Sequence, residues 1–157
     1  MSSDEATIHK AGTDDGWHGI ISPGSQFPPE KGRYHLYIGF FCPFAHRVNL
    51  VRHLKGLTDI IETSIVKPYP KGENGWPGWC FPAEGEYEGS AVDHLFGSKY
   101  LHEVYFRADK EYKGRYSVPL LWDKKQGTVV NNVSQIFPQG YEVAMAIIIV
   151  IKYLQEL

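Results

Sequence analysis

The sequence predicts an α/β domain, a mixed sheet flanked by helices, from three observations. The apolar run Tyr34–Ile38 passes through Gly39–Pro43 into the amphipathic stretch Phe44–Leu54, as a buried strand feeding a helix would. Asp59–Lys67 follows at crossover distance and is rich in Ile, Thr and Val, which suits the second strand of a βαβ unit. Two short runs, Tyr116–Asp123 and Gly127–Val130, then flank Lys124–Gln126 as a hairpin. At 157 residues, 43% hydrophobic and 22% charged, the chain suits one folded domain and is too apolar to be disordered throughout.

Taken in order, residues 1–31 are rich in Ser, Gly, Asp and Pro and read as an extended or mobile arm laying Trp17, Ile20, Ile21 and Phe27 on the body. The domain proper is expected over residues 32–134. Within it Pro43 stands well as the first residue of the helix, where its missing N–H costs nothing, and Lys55–Gly56 supplies a stop. Pro68 and Pro70 close the second strand. Residues 68–98 hold many Gly, Pro and Glu residues with Trp76, Trp79, Phe81 and Tyr87 among them, a long loop with aromatic anchors. Lys99–Arg107 has helical character. Residues 135–157 form a divergent, partly helical tail, since Phe137–Gly140 interrupts any continuous helix and the apolar run Val143–Ile151 is too short to span a bilayer.

Composition excludes several functions. A net charge of −2 with no Lys/Arg-rich run gives no attraction for nucleic acid or an anionic membrane. Two cysteines, Cys42 and Cys80, are too few for a disulfide framework or a Cys-rich zinc site. Seven histidines form no HxxH or HxxxH pair, so no metal is expected. The polar N-terminus resembles neither a secretory signal nor a transit peptide, and a cytoplasmic location is the expectation. The sequon Asn132–Ser134 is then expected to stay unmodified.

Chemistry concentrates at Cys42. Between a strand and a helix, its thiol faces unpaired N–H groups and the positive end of the helix dipole, which favour thiolate over thiol. Ala45 stands three residues on, where a dithiol oxidoreductase carries its second cysteine, so an oxidised Cys42 needs an external thiol, for which glutathione is the cytosolic candidate. The competing reading is a buried core cysteine. Val118–Pro119 opens the later strand; in a thioredoxin-like fold a cis proline there leaves the preceding backbone groups open to a peptide ligand, and an edge-strand proline is the alternative.

Arg33–Tyr37, Cys42–Arg47, Gly78–Phe81, Gly114–Arg115 and Val118–Lys125, several separated motifs in one order, resemble the glutathionyl-hydroquinone reductases, the Xi-class, omega-like glutathione transferases. The resemblance runs from about Trp17 to Ser134. It implies a thioredoxin-like glutathione-binding domain and a reductive deglutathionylation, in which the Cys42 thiolate takes the sulfur of a glutathionylated hydroquinone and a second glutathione frees the enzyme. It implies glutathione contacts at Trp79, at Arg115 near an anionic end, at the Val118 backbone, and at Ser134 for the γ-glutamyl carboxylate, with Pro43 and Pro119 structural beside them. Read singly, Trp79 is a loop anchor, Arg115 a solvated turn charge and Ser134 a helix N-cap.

The chain departs from the family pattern at three places. Val133 stands where the family has a glutamate that holds the glutathione amino group, Phe44 stands for a tryptophan, and the match fades after Ser134. The family's all-helical C-terminal domain, which builds the aromatic substrate pocket and much of the dimer contact, is expected to be absent, since the chain ends before it. Impaired turnover is therefore expected, with a homodimer dependent on that domain, and the alternative is a catalytically inactive binding module or truncated product. Partners are expected to be glutathione and glutathionylated quinone-type molecules.

Overall fold

A computed structural model of the chain describes residues 8–67, 79–86 and 90–132. Val133, Ser134, the 135–157 tail and the anchors Trp76 and Tyr87 lie outside the described residues. Six elements follow in order: β1 Tyr34–Ile38, α1 Pro43–Leu54, β2 Glu62–Ile65, α2 Leu101–Ala108, β3 Leu120–Asp123 and β4 Thr128–Asn131. The sheet runs β2-β1-β3-β4, with β1 parallel to β2 and antiparallel to β3, and β4 antiparallel to β3. This is the thioredoxin-like mixed sheet the sequence predicts.

All five residues of β1 are buried, so the central strand is covered on both faces. Its register sets Leu36 opposite Thr63 on one side and His35 opposite Trp122 on the other. Pro43 does open α1, which turns Ala45, Val48 and Arg52 inward at i, i+3 and i+7 and leaves Leu50 and Leu54 outward. Gly56 ends it in the left-handed region (φ 65°): its N–H reaches the His53 carbonyl at 3.0 Å, and Leu57 N–H reaches that of Arg52 at 2.9 Å.

Two strands are shorter than predicted. β2 starts at Glu62 rather than Asp59, because Leu57–Ile61 forms a turn in which Ile61 N–H bonds the Leu57 carbonyl (2.9 Å). The Arg52 guanidinium holds that turn, donating to the carbonyls of Ile61 (2.6 Å) and Thr58 (3.0 Å). β3 starts at Leu120 rather than Tyr116, because Ser117 bonds the Tyr105 hydroxyl instead of a neighbouring strand.

The arm packs Trp17, Ile21 and Phe27 into the core, while Ile20 is 48% exposed. Extended chain explains the exception, since alternate residues point to opposite sides and Gly19 and Ile21 take the inward one. Gly19 N–H donates to the Val130 carbonyl (2.8 Å) and Asn132 N–H to that of Trp17 (3.3 Å), so the arm borders β4 and covers part of its free edge.

Several polar side chains inside are paired across long sequence distances. Arg33 grips Asp123 with Nε 3.0 and 2.9 Å from the two carboxylate oxygens and Nη2 bonded to one of them. His35 shares a hydrogen bond with Ser64 Oγ (2.8 Å), and the Tyr37 hydroxyl donates to Asp93 (3.2 Å). Burial pushes His35 down to about 4, so at neutral pH its approach to Glu62 is no ion pair.

Candidate active site

Cys42 is the N-cap of α1, extended at φ −95° and ψ 115°. Its N–H donates to the Gly39 carbonyl (3.0 Å) and its own carbonyl accepts the first helical bond, from His46 N–H (2.9 Å). The strand-to-helix turn therefore presents the side chain at the helix start, half-buried, with Sγ 3.3 Å from the Val118 carbonyl oxygen. Cys42 and Val118 are 76 residues apart in sequence; the antiparallel β1–β3 pairing brings the turn after one strand against the segment leading into the other.

Val118–Pro119 is cis, the first of the two readings left open by the sequence. Val118 N–H has no hydrogen-bond partner among the described residues. Its carbonyl meets only the thiol, a weak donor. A buried backbone pair left so lightly engaged is suited to an extended peptide ligand.

Trp79 reaches the thiol region through a neighbour. Its carbonyl accepts from Leu101 N–H (2.9 Å), and the adjoining Cys80 and Phe81 are tied to Lys67 and Lys99, so the segment is held between the end of β2 and the start of α2. The half-buried indole packs on Phe41, centroids 4.5 Å apart, and Phe41 precedes Cys42. Phe40 and Phe41, 60% and 39% exposed, are two large apolar side chains at the surface of the turn that directly precedes Cys42. Sequence reasoning read them only as turn residues; two adjacent aromatics before a Cys-Pro turn were the available signal.

Arg115 is exposed three residues before Val118, and its guanidinium makes no hydrogen bond or ion pair among the described residues. The structure thus brings together Cys42, Val118 and, through Phe41, Trp79. Arg115 adjoins them along the chain, with no side-chain hydrogen bond or ion pair to them among the described residues. Pro43 opens α1, Pro119 follows the cis peptide bond, and Ser134 lies outside the described residues.

Sequence reasoning also missed Tyr105. Fully buried on α2, its hydroxyl donates to the Ser117 carbonyl (2.7 Å) and accepts from Ser117 N–H (3.1 Å) and Asn132 Nδ2 (3.2 Å). Cys80, by contrast, is buried. Among the described residues no three His, Cys, Asp or Glu side chains are grouped to hold a metal, and no helix is long and apolar enough to cross a membrane.

The family model for the glutathione S-transferase N-terminal domain matches residues 41–137. Glutathione S-transferase omega-like 2 of Schizosaccharomyces pombe is 48% identical over 115 residues, 73% of this chain and 34% of that protein. The glutathionyl-hydroquinone reductase YqjG of Escherichia coli is 43% identical over 122 residues, 78% of this chain and 35% of its own length. Its glutathione-bound structure superposes with a TM-score of 0.62 at 35% identity, covering 82% of this chain and 35% of that one. A Xi-class transferase of Natrialba magadii gives a TM-score of 0.76 at 36% identity over 91% of this chain and 41% of its own. The chain thus spans about a third of the length of the curated relatives it matches. With a thioredoxin-like sheet, a Cys-Pro helix start facing a Val-Pro strand entry, and these relatives, the chain belongs to the glutathione S-transferase N-terminal domain family, on the side of its Xi-class and glutathionyl-hydroquinone reductase members.

Proposed function

We propose that this chain carries the glutathione-handling part of a cysteine-type transferase that reduces glutathionyl-hydroquinones, with Cys42 as the nucleophile. The observation that carries the reading is the half-buried Cys42 Sγ, 3.3 Å from the carbonyl of Val118, whose N–H is unengaged among the described residues. A glutathione cysteinyl unit laid along Val118 would exchange backbone hydrogen bonds there and bring its sulfur to Cys42. Trp79 would cover the tripeptide, Arg115 would meet a carboxylate, and Ser134 the γ-glutamyl end.

In the first step the Cys42 thiolate attacks the sulfur of the conjugate. An S–S bond forms, the aryl C–S bond breaks, and the ring carbon takes the electron pair and a proton, releasing the hydroquinone. A second glutathione thiolate then attacks the mixed disulfide, giving glutathione disulfide and returning Cys42 as thiolate. The relatives named as glutathionyl-hydroquinone reductases favour this acceptor class, and a glutathione-rich cytoplasm supplies the reductant. Glutathionyl-hydroquinone turnover, followed by release of free hydroquinone, tests the reading. Wild type is expected to turn over and Cys42→Ser to fall to the uncatalysed rate; equal rates would overturn it.

A second reading, a non-catalytic glutathione-fold binding module, is favoured by the outward Leu50 and Leu54 of α1, 48% and 75% exposed. It predicts glutathione binding without hydroquinone release.

A further inference from the structure

The loop that presents Val118 is held from two sides, by α2 beneath it and by the N-terminal arm. Beneath it, the Tyr105 hydroxyl bonds both the N–H and the carbonyl of Ser117, the residue next to Val118. The same hydroxyl accepts from Asn132 Nδ2, whose side-chain oxygen in turn accepts the backbone N–H of Trp17 at 2.7 Å. From the arm side, Lys113 N–H donates to the Thr13 carbonyl (2.9 Å). Gly114 passes so close that a Cβ there would collide with the Tyr112 hydroxyl and come within 2.9 Å of the Asp14 carbonyl. Trp17 closes the cluster with its ring on His9, 3.8 Å between centroids, and tilted on Tyr112 at 4.8 Å.

We propose that Tyr105 is a positioning residue for glutathione: with Asn132 and the Trp17 segment of the arm, it sets the Ser117–Val118 backbone that receives the tripeptide. A tyrosine needs its hydroxyl satisfied when buried, and one donor bond would suffice. Here the hydroxyl takes three partners, two of them the backbone groups of the residue beside the ligand-binding one, and so fixes the peptide plane through which Val118 is presented. The arm is thereby part of the glutathione site, linked to it by Trp17 N–H, Asn132, Tyr105 and Ser117 in sequence.

This inference rests on the reading that glutathione is taken at Cys42 and Val118. Its test is the formation of the Cys42 mixed disulfide from glutathione disulfide in the full chain, a step in which one glutathione thiolate leaves as the new S–S bond forms. The rate is followed against glutathione disulfide concentration to separate half-saturation from maximal rate. Tyr105→Phe keeps the ring and loses the three bonds; half-saturation is expected to rise about fivefold while the maximal rate stays within about twofold. Tyr34→Phe is the control, because it removes the hydroxyl of another buried tyrosine, one that bonds the Pro28 carbonyl (2.6 Å), away from the thiol. Asn132→Ala, which leaves the tyrosine in place, is expected to move half-saturation in the same direction by less, and carries the test should Tyr105→Phe fail to fold. Unchanged half-saturation in Tyr105→Phe, or an equal change in Tyr34→Phe, overturns the inference while leaving glutathione capture standing. A wild type that captures no glutathione overturns the underlying reading and this inference with it.

Discussion

Strands β1 and β3 lie side by side in opposite directions, and their two shared ends are finished in opposite ways. At one end Arg33 and Asp123 close the pair with a buried two-pronged bridge, and Asp123 also takes the backbone N–H groups of Lys125 and Gln126. At the other end Cys42 and Val118 meet through a single weak thiol bond beside an unengaged N–H. The closed end satisfies each polar group it buries, so it contributes stability and offers nothing to a ligand. The open end leaves backbone groups waiting, which is a poor way to stabilise a sheet and a good way to receive a peptide.

The closed end should show the largest loss on substitution. Asp123→Ala leaves Arg33 without its buried counter-charge, with only the solvent-accessible Glu30 carboxylate 3.5 Å away, and should cost about 3–5 kcal/mol in denaturant unfolding. A loss below about 1 kcal/mol would mean the bridge is not what closes that end. Between the two ends lies His35, which burial holds at about 4 against an ordinary 6.5. The unfolded chain then binds the extra proton between those values, so stability is full above about pH 6.5 and declines as pH falls toward 4. The decline should be on the order of 3 kcal/mol, and His35→Gln should flatten it in urea titrations at pH 7 and pH 4.5.

The open end should respond in the reverse sense. Cys42→Ser should change unfolding free energy by less than about 1 kcal/mol, since only a weak bond is altered, while removing glutathione capture altogether. A large stability loss would make Cys42 a core residue instead. Smallest in energy but plain to read is the contrast between the two thiols: half-buried Cys42 should alkylate under native conditions well before Cys80, which is 5% exposed. Equal labelling rates would remove the distinction.

What the sequence made legible was local. A run such as Tyr34–Ile38, a Cys-Pro helix start and a Gly stop act within a few residues, and the structure has them at the predicted positions. The predicted strand starts at Asp59 and Tyr116 failed for a shared reason: side chains from elsewhere, Arg52 and Tyr105, capture the backbone there before it joins the sheet. The same limit applies to the site. Cys42 announced itself by its neighbours, but the Arg33–Asp123 bridge spans 90 residues and the Trp17–Asn132 bond 115, and no local pattern encodes such pairings. Ile20 failed more simply, since a composition-based reading of the arm has no phase to say which of two adjacent isoleucines turns inward.

Cys42 as the glutathione-capturing thiol is tested most plainly by intact mass and peptide mapping of the native chain after exposure to glutathione disulfide. One glutathionyl group, on the peptide containing Cys42 and removed by added glutathione, is the predicted result. An unmodified chain, or a group carried by Cys80 instead, would contradict the assignment of the open end as the glutathione site.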